Sequence, residues 1–273
     1  MSDIDIPSLP PELEWDIPEL APLARTATLL LNVPDTPGEP TPADSSIGGP
    51  LLWPADEPWP YCDLPNHDAA WPHKSPPDHP VPTVAAVQLY AHDVPELPFP
   101  EGTDVLQIIW CALLHEEPDE YAPLPRMYWR NAERVRAAGV LDDVPAPAEG
   151  EYDEDFVPTP RRVRPTKARE YPNQDLPREI TDAIWPRVEA LEARHDTYYT
   201  EWCALQTKVG GYPAWCQPPN WPDCEKSHRM EHLLSVTGEE DMMMGDCGGM
   251  YFFVCPECTT GTEMPYAFRY DCH

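Results

Sequence analysis

Ile47-Gly48-Gly49-Pro50-Leu51-Leu52-Trp53, followed after five residues by Trp59-Pro60-Tyr61-Cys62, is the stretch on which the fold turns, because it occurs twice. Residues 209–224 read Val209-Gly210-Gly211-Tyr212-Pro213-Ala214-Trp215 and, again after five residues, Trp221-Pro222-Asp223-Cys224. Both copies fit the frame G-G-x3-W-x5-W-P-x-C without a gap, at the constant offset of 162 that separates Gly48 from Gly210. Tryptophan is rare, so coincident pairs of Trp and Gly with a shared Pro and Cys point to an internal repeat. In each copy the glycine pair gives the backbone freedom for a tight turn. The tryptophans are expected to pack in a core rather than stack on a ligand.

The elements after each copy recur in the same order. Residues 83–90 (TVAAVQLY) and 230–236 (MEHLLSV) read as strands, and each is followed by a glycine-led strand that ends on a cysteine. Those are 102–111 (GTDVLQIIWC) and 248–255 (GGMYFFVC). Residues 27–33 form a first strand and 127–129 another, with 131–138 either extending it or making one helical turn. The basic cluster 159–169 (TPRRVRPTKAR) reads as a strand whose charges balance the acidic loop 146–156 (APAEGEYDEDF). Pro186 at a first turn, then Val188 and Leu191, predict a short amphipathic helix to about Thr197. The 39 prolines cannot donate to a sheet ladder or sit comfortably inside helices, so elements are short and connections long.

The expectation is an α+β, predominantly β protein built from two pseudo-equivalent antiparallel sheet repeats with few helices. Its divisions are an acidic, proline-rich arm (1–26), a first repeat (27–145), a segment carrying the acidic loop, basic strand and connecting helix (146–200), and a second repeat (201–273).

Forty-eight acids against eighteen bases give a formal net charge of −30. Binding to phosphate backbones or anionic membranes rests on Lys and Arg, so direct nucleic-acid and membrane partners are disfavoured. A basic protein partner is favoured, and its encounter is accelerated. Solubility alone also accounts for such a charge. The N-terminus lacks a basic region followed by an apolar run, and no apolar stretch is long enough to span a bilayer. Nine cysteines, an odd number, do not resemble a secreted disulfide framework. A reducing cytoplasm is the expected location.

The string Lys208-Val209-Gly210-Gly211-Tyr212-Pro213-Ala214-Trp215-Cys216-Gln217 resembles the YwqG-like proteins of bacteria, as does Gly245-Asp246-Cys247-Gly248-Gly249-Met250-Tyr251-Phe252-Phe253-Val254-Cys255. The resemblance covers roughly 27–273 and is stronger in the second half. The wider superfamily, the TYPP domains, is similar to eukaryotic programmed cell death protein 2, whose relatives escort a basic ribosomal protein. The resemblance implies protein binding and escort. It supplies no catalytic residue.

Three chemistries bear on the site. Cys255-Pro256-Glu257-Cys258 is a C-x2-C knuckle, whose spacing lets two thiolates meet one tetrahedral Zn²⁺. Cys224 with His228 (C-x3-H) is the candidate second pair, and Cys272 with His273 the alternative. Cys111 closes the matching strand of the first half with no knuckle after it, which argues against a metal as a requirement of the fold. For nucleophilic catalysis there is no G-x-S-x-G, and for phosphate binding neither G-x-G-x-x-G nor the Walker pattern.

The expected function is therefore a non-enzymatic, chaperone- or escort-like binding domain for a basic client. The binding candidates are the loop acids Glu149, Glu151, Asp153, Glu154 and Asp155, with Trp129 and Trp185 as aromatics outside the repeated motif. An acidic inhibitor or immunity protein masking a basic toxin or nuclease is the alternative, and an enzyme using the Cys/His cluster a third.

Overall fold

The computed structural model describes residues 9–32, 39–64, 67–68, 77–115, 121–238, 242–245 and 248–272. The chain forms α1 (Leu13–Asp16), β1 (Arg25–Asn32), β2 (Ser46–Ile47), β3 (Tyr61–Cys62), β4 (His67–Asp68), β5 (Val81–Pro82), β6 (Val84–Tyr90), β7 (Val105–His115) and β8 (Ala122–Arg130). It continues through α2 (Ala132–Ala138), β9 (Arg161–Glu170), α3 (Arg178–His195), β10 (Lys208–Gly210), β11 (Glu231–Thr237), β12 (Gly249–Val254) and β13 (Tyr266–Asp271). The mostly β architecture matches the expectation.

One antiparallel sheet runs β13-β12-β11-β10-β1-β9-β2-β6-β7-β4, with β8 also on β7, and β3 pairs separately with β5. On either side of the central β1/β9 pair the same succession occurs: β2-β6-β7-β8 on one side, β10-β11-β12-β13 on the other. The leading strands are exchanged. β1, which precedes the first motif, pairs with β10 of the second, and β9, which precedes the second, pairs with β2 of the first. Even an irregularity recurs, since register slips between Ala85 and Val87 on β6 and between His232 and Leu234 on β11. Each bulge leaves one residue, Ala86 or Leu233, without an opposite partner.

The sheet curls until β8 and β13 approach each other, where Tyr266 Oη donates to Pro125 O at 3.4 Å. The inside holds the main core, with Leu106, Ile108 and Trp110 of β7 facing Met250, Phe252 and Val254 of β12. Alternate residues turn outward, as strand geometry requires. On β12 these are Tyr251, Phe253 and then Cys255, covered by Trp215. On β7, Ile109 lies under Trp53 and Trp59, and Cys111 beside Cys62. Burial on both faces explains why these strands read as unbroken apolar runs. The glycine pairs do make the turns: Gly48, Gly49, Gly210 and Gly211 all have positive φ. A Cβ on Gly211 would sit 2.0 Å from Glu170 Oε1.

The helices depart from expectation. α3 starts at Arg178, right after Pro177, so Pro186 lies inside the helix and not in its first turn. Ile184, Val188 and Leu191 on one face pack against Leu13, Ile17 and Leu20, which fixes the described part of the arm to the body. Residues 1–8 lie outside the described residues. The segment 131–138 is helical, and the Asn131 side chain caps α2 by accepting from Arg134 N at 2.9 Å. The basic cluster is a strand, β9, but Arg162, Lys167 and Arg169 pair with Asp44, Glu96 and Glu14. Central placement of β9 beside β1 brings these bases to acids of the arm and the first half, outside the 149–155 loop.

Candidate metal centre

The second motif ends in a tight turn. Ser227 N donates to Cys224 O at 2.7 Å and Cys224 N to His228 O at 2.9 Å, with Ser227 at positive φ. This turn lays Cys224 and His228 side by side. Past the end of β12, Pro256–Cys258 form a single 3-10 turn in which Cys258 N donates to Cys255 O at 3.2 Å, drawing both knuckle thiols together.

The four side chains converge, each donor atom within 4.8 Å of the others. Cys224 Sγ lies 3.8 Å from Cys258 Sγ, and His228 Nδ1 lies 3.4 Å from Cys258 Sγ and 3.7 Å from Cys255 Sγ. Zn–S bonds of about 2.3 Å and Zn–N bonds of about 2.0–2.1 Å in a tetrahedron place sulfurs about 3.8 Å apart and sulfur about 3.6 Å from nitrogen. The observed separations are close to those edges, so the donor set fits a tetrahedral d¹⁰ ion. Four protein donors leave no open coordination position, the arrangement of structural sites. Of the two candidate partner pairs, Cys224 with His228 joins the knuckle; His273 lies outside the described residues.

The thiols are electrostatically uneven. Burial, then the neighbouring thiols Cys255 and Cys224, pushes Cys258 up to about 11. At Cys224 burial acts in the same direction, but backbone contacts of His228 and Lys226 and the adjacent thiols outweigh it and lower the pKa.

The Cys/His group adjoins the wall of a cleft. Trp221 and Arg229 flank the Cys224–His228 turn, and Arg229 pairs with Asp223 at 3.1 Å. Together with Arg25, Tyr212, Asp175 and Glu231 they line a cavity of about 870 Å³ between the start of β1, the segment before α3 and the start of β11. Asp175 organises its floor, accepting from Trp221 Nε1 at 2.7 Å and from Trp215 Nε1 at 3.1 Å. Burial raises the Asp175 carboxyl above its ordinary range, against the two indole donors. Arg25 lies 4.1 Å over the Tyr212 ring, and Glu231 stands exposed. Asp175 was not legible in sequence; its only signal was the recurrence of tryptophans whose N–H groups need acceptors once buried.

The surface candidates are scattered. Trp129 is only 9% exposed and packs edge-on to Phe99 in the main core, so it is not a surface aromatic. It lies on β8 where that strand's inward face meets the core. Trp185 is 40% exposed on α3, with Nε1 donating to Glu189 at 2.9 Å. In the acidic loop Glu149 and Glu154 are exposed. Glu151 instead accepts from Ala148 N and contacts His79 at 2.7 Å, and Asp153 accepts from Asp155 N while burial raises its pKa. Asp155 is half-buried, and its backbone carbonyl accepts from Met243 N.

Among the described residues no helix is long and apolar enough to cross a membrane, and no disulfide joins the eight described cysteines. No curated protein matches the chain. Residues 45–260, spanning both motifs, the exchanged strand β9 and the Cys/His centre, match the family described as a domain of unknown function, and the chain therefore belongs to that family, DUF1963.

Proposed function

We propose that this chain is a non-enzymatic, escort-like binding domain whose cleft takes an extended segment of a basic protein, with a structural zinc at Cys224, His228, Cys255 and Cys258 holding the cleft wall. The cleft of about 870 Å³ is the observation that carries the reading. Its volume lies in the range of specific binding sites, and its Trp221 and Tyr212 rings with Asp175 and Glu231 carboxylates offer apolar contact beside negative charge. The two arginines there are already engaged, Arg25 with Tyr212 and Gly211 O, Arg229 with Asp223 and Trp221 O. Curling of the sheet brings β8 and β13 together, which leaves the cleft better suited than these strand edges to an extended segment.

A net charge of −30 supports a basic partner, and the resemblance to YwqG-like proteins and the escort proteins of the TYPP superfamily supports binding over catalysis. A photo-crosslinking residue in place of Glu231, with Trp185 as the control position, tests the reading. Crosslinks at 231 to Lys- and Arg-rich segments of a partner are expected, and equal yields of the same products from both positions would contradict it.

A further inference from the structure

By sequence Cys111 is a counterexample, a strand-ending cysteine with no knuckle. The structure gives it two companions. Cys62, Cys111 and His115 are all buried, with donor atoms within 4.8 Å of one another, and Cys62 Sγ lies 3.4 Å from His115 Nε2. This group stands at the place in the first half that the metal centre occupies in the second. Cys62 and Cys224 are the same position of the repeated motif. Cys111 and Cys255 each follow by two residues the strand position opposite the bulge, Ile109 facing Ala85 and Phe253 facing His232.

Residues four apart in a regular strand lie about 13 Å from each other. Cys111 and His115 meet because β7 is irregular between them: Cys111 is opposite Leu124 and His115 opposite Ala122, so four steps on β7 match two on β8. Bulges of this kind re-aim side chains next to sites. The ring of His115 is also oriented. Its Nδ1 lies 3.3 Å from Ala122 O, which can only accept, so Nδ1 carries the proton and Nε2 turns its lone pair to the thiols. A donor nitrogen held by a backbone carbonyl on its far side is the usual arrangement of metal-binding histidines.

We infer that Cys62, Cys111 and His115 form a second metal site, distinct from the Cys224/His228/Cys255/Cys258 centre, for a thiophilic d¹⁰ cation, Zn²⁺ or Cu⁺. Two thiolates and one imidazole are the ligand types these ions share. On binding, Cys62 and Cys111 each release one proton to solvent, and among the described residues these three side chains form bonds to the cation, with a further donor completing the tetrahedron. The site does not depend on the cleft or its occupant.

The test is metal counting on the full chain, reduced, stripped with chelator and reloaded with Zn²⁺ or, anaerobically, with Cu⁺. Two equivalents per chain are expected with at least one of the ions, falling to one in Cys258→Ser and to one in Cys62→Ala or His115→Gln. Cobalt loaded into Cys258→Ser reads the second site without touching it, and a thiolate-to-cobalt charge-transfer band that disappears when Cys62→Ala is added is the expected signature. One equivalent in the wild-type chain with both ions, or two equivalents that survive both Cys62→Ala and His115→Gln, would overturn the inference, leaving three buried side chains that merely pack together.

Discussion

Lys208 Nζ lies 2.7 Å from Glu170 Oε2 with both side chains wholly buried, and the pair bridges across β1. Glu170 also accepts from Ala204 N at 3.0 Å and from Tyr212 N at 2.5 Å, so its carboxylate ties β9 to the turn of the second motif. Removing one member of a buried pair strands the other charge, which costs about 3–5 kcal/mol. Lys208→Met is therefore expected to destabilise the chain by that order in urea denaturation. Adding Glu170→Gln should recover part of the loss, and a single variant within about 0.5 kcal/mol of wild type would show that the pair is not essential.

The zinc proposed at Cys224, His228, Cys255 and Cys258 would join the end of β12 to the turn after the second motif through four side chains. Folding free energy and metal binding are coupled in such sites. Chelation, or Cys258→Ser, is expected to lower Tm by at least about 10 °C, since each kcal/mol moves a chain of this size by roughly 2–4 °C. Calorimetry with and without chelator checks this.

His232 is buried beside the cleft, and burial, followed by the charge of Lys208, lowers its pKa to about 3. Its ordinary value is 6.5, so between that pH and about 3 the unfolded chain binds a proton that the folded one refuses. Stability contributed this way is present above pH 6.5 and lost as pH falls toward 3. The difference in unfolding free energy between wild type and His232→Gln should shift by on the order of a few kcal/mol in favour of the variant across that window. A difference independent of pH would mean that His232 titrates alike in both states.

Two of the tryptophans outside the repeated motif, Trp129 and Trp185, separate cleanly. Trp129→Ala empties part of the main core and is expected to cost about 3–5 kcal/mol. Trp185→Ala, on the exposed face of α3, is expected to cost under about 1 kcal/mol. Urea denaturation of the two variants checks both values.

Much of the fold was legible because it rests on local chemistry. Gly48, Gly49, Gly210 and Gly211 announce turns, and the apolar runs of β7 and β12 announce strands. Cys255 and Cys258 announce a ligand pair by their spacing, and Cys224 with His228 is one of two candidate partners for it, the one the fold brings to the knuckle. What was hidden depends on long-range geometry. The exchange of β1 and β9 between the halves leaves no mark on either strand's sequence. Pro186 reads as a helix start, but packing of Ile184, Val188 and Leu191 on the arm carries the helix through it. His115 has no metal spacing, because only the irregularity of β7 brings it back to Cys111. Trp129 stands outside the motif yet belongs to the core, since β8 is one wall of the curled sheet.

The central claim, that the cleft holds a basic extended segment, is tested most directly by titrating the full chain with matched Lys/Arg-rich and Asp/Glu-rich peptides while following tryptophan fluorescence. The basic peptides are expected to bind, more weakly as salt rises, and Trp221→Ala with Glu231→Lys is expected to weaken them at least tenfold, about 1.4 kcal/mol. Binding that is indifferent to peptide charge, or that survives both substitutions undiminished, would contradict the account.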